Sequence, residues 1–265
     1  MTIEWYKHGE RSEVSMLWII NGKKVKNILL IIIAAFVAAL ILFVQKQETS
    51  VFAPIDKSGA LSRVETNQKH LALTFDSNWG DQQIKLILET LKAEKVKATF
   101  FFSGEWAERH SDIVKEVLKD GHEIETQGMR HEDYTQLSVE ETRRDMLLSR
   151  EAIYKACGVR PELIRPPYGK INKEVLQTMS ALHLQPVLWS VNPQDETNPG
   201  YEAIVRQVLK DAGKGDIIRL HASDSAKQTY RALPLIIREM KNRGYTFVTI
   251  KDLVSDAQTK HRLLD

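Results

Sequence analysis

The longest apolar run lies near the start of the chain, and further along short apolar segments alternate with amphipathic ones. Residues 28–44 read ILLIIIAAFVAALILFV, seventeen apolar residues that are just enough for a helix to cross a bilayer. Lys23, Lys24 and Lys26 precede the run. Because basic residues favour the inner side, we expect residues 1–26 in the cytoplasm, a single-pass anchor over 27–45 and the remainder outside the cell membrane.

Two other interpretations of this run are less favoured. It is longer than a typical signal-peptide core, and no small-x-small cleavage pattern follows it, so an uncleaved anchor is preferred to a cleaved signal. A buried core helix would usually carry some polar positions, and this run has none. Residues 46–69 contain Pro54 and Gly59 and few periodic apolar positions, which predicts a linker or an irregular arm.

From His70 onward, short apolar runs alternate with segments of helical period. The runs predict seven strands, which read LALTF from Leu71, ATFFFS from Ala98, HEIET from His122, ELIRP from Glu162, PVLWSV from Pro186, DIIRLH from Asp216 and TFVTI from Thr246. Helical patterns lie between them, and Ser138 with Glu141 forms a capping box that marks one helix start. Strands separated by helices indicate a parallel α/β fold, either a barrel or an open doubly wound sheet.

Motifs and charge narrow these alternatives. No GxGxxG or Walker-type loop follows the first strand, so a barrel of about seven strands over residues 70–258, with a tail over 259–265, is favoured over a nucleotide-binding sheet. The net charge is only +2 and no basic stripe is interleaved with aromatic residues, so nucleic acid is not an expected partner. The single cysteine, Cys157, excludes an intrachain disulfide framework.

Polar side chains gather just after the predicted strands. In parallel barrels the active site lies at the carboxyl ends of the strands, so these residues should meet at that end of the barrel, its mouth. Any one of them alone would more often be structural, but residues from five strands together favour a site. They are Asp76, Ser77, Asn78 and Trp79 after the first strand, then Gln127 and His131, Arg165, Asn192 with Asp195, and finally His221.

These residues lie in motifs that resemble a known family. TFD at Thr74, GHEI at Gly121 followed by His131, RPPYG at Arg165, WSVN with Asp195, and GDIIRLH at Gly215 are similar to the five ordered motifs of the polysaccharide deacetylases. This is the NodB-homology group of carbohydrate esterase family 4, and the resemblance covers about residues 70–254. The segments HASDSAKQTYRALPLII and SGEWAERH also resemble the spore-specific PdaB-type branch.

The resemblance implies a distorted (β/α)7 NodB-type barrel, a divalent metal such as zinc, and removal of N-acetyl groups from cell-wall polysaccharide, either peptidoglycan or spore cortex. It assigns Asp76 as the catalytic base, Arg165 as the residue that orients it, His221 as the general acid and Asp195 as the partner of His221. Asn192, Glu196 and Ala222 depart from common family residues, which changes the expected surroundings of His221. Without turnover, Asp76 and Arg165 would be a buried salt bridge at the barrel rim.

The metal positions implied by the family are Ser77, Gln127 and His131. Only His131 is a good ligand, because a serine hydroxyl and a carboxamide bind zinc poorly compared with carboxylate and imidazole. The sequence therefore predicts a degenerate metal site, with Asp76, Asp81 or Asp133 left open as substitute ligands.

Substrate contacts are expected from Trp79, Pro167, Tyr168 and Asn192, with core packing as the alternative for Trp79 and the preferred role for Trp189. Two functions stay open: an anchored glycan deacetylase with an unusual metal dependence, and a catalytically silent glycan-binding or structural protein of the envelope.

Overall fold

The computed structural model describes residues 26–27, 31–33, 35–36 and 59–262. The chain divides into two compact units, Met1–Ser50 and Val51–Asp265. The described residues of the first unit are helical, and most of the predicted anchor lies outside the described residues. Within the part of the chain that is described, no helix has both the length and the apolar character needed to span a bilayer.

The second unit alternates parallel strands with helices, as the hydrophobic pattern predicts. The strands are β1 His70–Ser77, β2 Thr99–Phe102, β3 Glu123–Thr126, β4 Leu163–Ile164, β5 Gln185–Pro186, β6 Ile217–His221 and β7 Thr246–Val248. The helices are α1 Gln82–Ala93, α2 Gly104–Arg109, α3 Ser111–Lys119, α4 Val139–Cys157, α5 Lys173–Ala181, α6 Tyr201–Asp211, α7 Thr229–Asn242 and α8 Ile250–Arg262. Short 3-10 turns cover Tyr134–Gln136, Pro167–Gly169 and Asp195–Thr197.

The strands form one seven-stranded sheet in the order β5-β4-β3-β2-β1-β6, with β7 paired to the start of β1. All pairings between named strands are parallel. Among the described residues, isolated bridges rather than a strand ladder connect the region between β5 and β6, namely Val191 to Ile218, Leu61 to Val187 and Arg63 to Asp216. The predicted α/β fold with parallel strands is thus confirmed as a half-barrel, incompletely closed on this side.

The gap exists because the predicted strand PVLWSV is much shorter than expected. Only Gln185 and Pro186 are in strand conformation. Proline has no N–H to donate to a ladder and is tolerated at sheet edges, which suits the position of β5 at the edge of the sheet. The following residues leave the sheet and bring Trp189 to the mouth, meaning the end of the half-barrel where the strands terminate.

The two faces of β1 pack against different surroundings. Leu71, Leu73 and Phe75 belong to the main core cluster together with the aromatic rings of β2. Phe75 stacks on Phe100 at 5.2 Å between ring centroids. Side chains alternate along a strand, so Ala72, Thr74 and Asp76 share the other face, toward the interior of the half-barrel.

The first residues of the predicted linker or arm that the structure describes pack between the end of β5 and the start of β6. Leu61 bridges to Val187, and the Arg63 guanidinium pairs with the Asp216 carboxylate at 2.9 Å. The Val64 N–H donates to the carbonyl of Gly215, which has a φ of +76°. A Cβ at residue 215 would lie 1.7 Å from the Val64 carbonyl oxygen, so this contact requires glycine.

Helix α4 begins as its sequence predicts. The Ser138 side chain accepts from the Glu141 N–H at 3.2 Å, and the Glu141 carboxylate accepts from the Ser138 N–H at 2.9 Å. This confirms the capping box, which satisfies backbone donors that a helix start would otherwise leave unpaired.

Candidate active site

The register of the sheet brings Asp76 and His221 side by side at the mouth. Asp76 of β1 is paired with His221, the last residue of β6. The Ala222 N–H then donates to the Asp76 carbonyl at 2.9 Å, which continues the pairing past the strand end. A carboxylate and an imidazole from distant parts of the chain therefore meet on adjacent strands.

Asp76 is buried between two arginines. The Arg165 Nη1 donates to its Oδ1 at 2.7 Å, and the Arg219 Nε donates to its Oδ2 at 2.8 Å. Burial alone would raise the pKa of Asp76, but the charges of Arg165 and Arg219 outweigh it and hold the pKa well below its usual range. Asp76 is consequently ionised at neutral pH.

Arg165 is held rigidly at the end of β4. It is 1% exposed, its guanidinium lies 4.1 Å from the Phe101 ring centroid, and its Nη2 donates to the Leu188 carbonyl at 3.2 Å. Burial lowers the pKa of Arg165, a shift that the negative charge of Asp76 opposes. This side chain fixes the direction of the Asp76 carboxylate.

His221 is oriented by Asp195. Its Nδ1 lies 2.8 Å from the Asp195 Oδ1, and its backbone N–H donates to the Asp195 Oδ2 at 2.8 Å. The Thr229 hydroxyl donates to the same Oδ2 at 2.6 Å. Burial lowers the pKa of His221, but the hydrogen bond and charge of Asp195 outweigh it, so the pKa is raised.

Arg219 is the site residue that sequence reasoning missed, although the motif GDIIRLH contains it. Its Nη2 lies 2.9 Å from the Nε2 of His221, and its guanidinium stacks 4.2 Å from the Trp189 ring centroid. Arg219 and His221 are two apart on β6 and so share a face of the strand. That spacing was the signal that could have identified Arg219.

Two of the three metal positions implied by the family carry uncharged side chains, Ser77 and Gln127. Ser77 and Gln127 are buried, and the Ser77 Oγ and Gln127 Oε1 have no hydrogen-bond partner among the described residues. The Gln127 Nε2 donates to the Ser77 carbonyl at 3.0 Å. Burial lowers the pKa of His131, which keeps the imidazole neutral, the form that binds metals.

The substitute ligands left open by the sequence are engaged elsewhere. The Asp81 carboxylate pairs with Lys85, and the Asp133 carboxylate pairs with Lys170. Asp76 is held by its two arginines. Among the described residues, one group offers three acidic or imidazole ligand atoms within 4.8 Å of one another, namely Asp195, Glu196 and His221. Both Asp195 oxygens already accept the hydrogen bonds described above.

The predicted substrate residues have different environments. Trp79 is 70% exposed, which removes core packing as its role, and Tyr168 is 59% exposed with its ring 4.8 Å from that of His131. Pro167 is buried, and the Asn192 side chain accepts from the Gln194 N–H at 3.1 Å. Trp189, expected in the core, is only partly buried and covers Arg219.

The fold and site define a class of protein, a parallel α/β half-barrel with a buried carboxylate and an imidazole at its mouth, and comparison with known proteins specifies the family. The profile described as polysaccharide deacetylase matches residues 63–187. A peptidoglycan-N-acetylglucosamine deacetylase of Bacillus cereus is 39% identical over 194 residues, covering 72% of this chain and 91% of the relative. The chain therefore belongs to the polysaccharide deacetylase family.

Two further relatives extend the comparison. The peptidoglycan-N-acetylmuramic acid deacetylase PdaC of Bacillus subtilis is 35% identical, covering 72% of this chain and 40% of that longer protein. The crystal structure of a CE4 family pseudoenzyme from Bacillus anthracis superposes with a TM-score of 0.70 at 26% identity, covering 75% of this chain and 69% of that one. A mutant of that pseudoenzyme is described as having restored enzymatic activity. The expected closeness to the PdaB-type branch is not confirmed by these relatives.

Proposed function

We propose that this protein is a hydrolase of non-peptide carbon–nitrogen bonds that deacetylates N-acetylated cell-wall glycan. The observation that carries the proposal is the pairing of Asp76 with His221 at the mouth, each with its own counter-charge from Arg165 and Asp195. The names of the Bacillus relatives support N-acetylated peptidoglycan as the substrate class.

The two groups match the two proton transfers of amide hydrolysis, which needs a base for water and an acid for the leaving amine. Asp76 is ionised and would accept the proton of water. His221 would deliver a proton from Nε2 to the amine nitrogen, while Asp195 holds the Nδ1 side and stabilises the imidazolium. The exposed ring of Trp79 beside the mouth suits stacking on a sugar ring.

The family's divalent cation would supply polarisation of the amide carbonyl. The residues present fit it poorly, because Ser77 and Gln127 offer neutral oxygens and two guanidinium groups already neutralise Asp76. His131 is the one remaining strong ligand. We therefore infer a degenerate metal site with weak affinity for zinc and similar ions.

We also propose that the protein is anchored in the cell membrane by residues 27–45, with the deacetylase domain outside or facing the forespore envelope. The uninterrupted apolar run and its preceding lysines support this location. A role in sporulation is supported only by the two sequence segments that resemble the PdaB-type branch.

The test is release of acetate from peptidoglycan and from chitooligosaccharide by the purified full chain, with added divalent ions and with chelator. The wild type should release acetate, and His221→Ala should lower the rate by about 10²–10⁴-fold through loss of the general acid. His183→Ala, at an exposed position, is the matched control. Folded wild-type protein that releases no acetate with any divalent ion would refute hydrolysis.

A second candidate is a glycan-binding envelope protein without turnover. It is favoured by the neutral residues at the metal positions and by the contact of Arg219 with both Asp76 and His221. The pseudoenzyme relative shows that this fold exists in a silent form. The signature of this function is saturable glycan binding that His221→Ala leaves unchanged, with no acetate released.

A further inference from the structure

A single guanidinium contacts both members of the proposed acid–base pair. The Arg219 Nε donates to the Asp76 Oδ2 at 2.8 Å, while its Nη2 lies 2.9 Å from the His221 Nε2. The family resemblance assigned no role to residue 219. These two contacts occupy the atoms that hydrolysis would use.

The contact with His221 determines which ring nitrogen carries a proton. Arginine nitrogens only donate hydrogen bonds, so the Nε2 that faces Arg219 must accept. The Nδ1 faces the Asp195 carboxylate, an acceptor, and therefore carries the hydrogen. While Arg219 donates to the Nε2, that nitrogen has no proton to give to a leaving amine. On the Asp76 side, Arg165 takes one oxygen and Arg219 takes the other.

The structure also offers a second position for the Arg219 guanidinium. Glu196 forms a looser ion pair with Arg219, because its Oε1 lies 3.8 Å from the Arg219 Nη1, within ion-pair range but beyond hydrogen-bond distance. The Glu196 Oε2 lies 3.7 Å from the His221 Nδ1 and has no hydrogen-bond partner among the described residues. The face of Trp189, 4.2 Å from the guanidinium, can support the side chain in both positions.

Arg219 differs in this respect from Arg165. Arg165 is enclosed by Phe101, the Leu188 carbonyl and Asp76, with 2% of its side chain exposed. The Arg219 side chain is 11% exposed and has a carboxylate within reach on either side. Arg165 is therefore a fixed counter-ion, whereas Arg219 has an alternative partner.

We propose that Arg219 is a latch, a positioning residue that keeps Asp76 and His221 in a resting arrangement until its guanidinium moves to Glu196. Opening breaks the contacts with the Asp76 Oδ2 and the His221 Nε2 and shortens the existing ion pair with Glu196 to hydrogen-bond distance. The latch rests on the proposed hydrolysis for its purpose, but its two positions can be tested without any turnover.

The direct test measures access to the His221 Nε2 by modification with diethyl pyrocarbonate, read by peptide mass spectrometry on the full chain. In Arg219→Met the rate at His221, relative to exposed His183, should rise about tenfold or more, because the closed state no longer protects the ring. Arg206→Met, at an exposed position on α6, is the matched control and should leave the rate unchanged. Equal protection of His221 in wild type and Arg219→Met would overturn the latch.

Folding of the variants is read in the same experiment, since buried His122 should stay unmodified in every protein. Glu196→Gln is a second variant, for which the expected change in the modification rate of His221 has the opposite sign. It removes the charge of the open position, so modification of His221 should become several-fold slower than in wild type. A faster or equal rate in Glu196→Gln would contradict the second position of Arg219.

Acetate release separates the latch from the proposed function. Loss of protection in Arg219→Met with no acetate from either protein would uphold the latch and refute hydrolysis. Acetate release by wild type that falls in Arg219→Met would uphold hydrolysis and overturn the latch, because Arg219 would then assist the reaction. Both proposals together predict faster acetate release from Arg219→Met than from wild type.

Discussion

The mouth has two halves whose buried polar atoms are hydrogen-bonded to different extents. The charged half contains Asp76, Asp195 and His221, and the other half contains the family's metal positions, Ser77, Gln127 and His131. In the charged half, Asp76 and Asp195 have partners on both carboxylate oxygens, supplied by arginines, a histidine and a threonine. At the metal positions, the Ser77 Oγ and Gln127 Oε1 are buried without hydrogen-bond partners among the described residues. In one half both buried carboxylates are paired on each oxygen, whereas in the other half these side-chain oxygens are neutral and unpaired within the described part of the chain.

The difference follows from what burial costs each kind of group. A buried carboxylate without a counter-ion is strongly destabilising, so Asp76 can remain only with its arginines. A buried hydroxyl or carboxamide costs much less, and neutral residues can therefore occupy the metal positions without compensation. Substitutions in the two halves should accordingly have unequal effects.

The largest effect is expected when the charged half loses its buried counter-ion Arg165. Arg165→Met should lower the free energy of unfolding at pH 7 by about 3–5 kcal/mol, because Asp76 keeps its charge and loses a buried partner. The measurement is urea-induced unfolding of the full chain, with Arg206→Met as control. Since the folded pKa of Asp76 is lowered, its stabilising contribution is present above its ordinary pKa and is lost as pH falls through the folded value.

The difference in the free energy of unfolding between wild type and Arg165→Met should therefore become smaller in acid. A loss of stability below about 1 kcal/mol at pH 7 would mean that Arg219 alone is a sufficient counter-ion for Asp76. It would contradict the expectation that substitutions in the charged half cost more than substitutions at the metal positions.

A smaller effect, measured as affinity, should follow when the metal positions are made charged. Ser77→Asp combined with Gln127→His should raise zinc affinity at least about 10–100-fold, because a carboxylate and an imidazole join His131. Isothermal titration calorimetry of wild type and double variant makes the measurement, with Ser77→Ala and Gln127→Ala combined as the uncharged control. Unchanged zinc affinity would show that residues 77, 127 and 131 do not form the family's cation site.

The smallest effect is expected from removing an atom that has no partner. Ser77→Ala should change the free energy of unfolding by less than about 1 kcal/mol, since no hydrogen bond is lost with the Oγ. Thr229→Val is the matched comparison in the charged half. Its hydroxyl donates to Asp195 at 2.6 Å, and its loss should cost about 1–3 kcal/mol. Equal costs for the two variants would contradict the difference in pairing.

Much of the fold could be predicted from local patterns. All seven strands lie where short apolar runs predicted them, and α4 begins at its capping box. Strand lengths were less predictable. PVLWSV is as apolar as the other runs, yet only its first residue is in β5, because pairing beyond Pro186 depends on a neighbouring strand that the local sequence does not specify.

The sequence by itself determined which chemical groups follow the strands, since strand ends are marked by local changes from apolar to polar residues. It thereby placed Asp76, Arg165 and His221 at one mouth and identified Ser77 and Gln127 as neutral. Only the tertiary structure decided which of these groups bond to each other. The contact of Arg219 with Asp76 depends on the register of β1 against β6, which is set by hydrogen bonds between residues about 145 positions apart.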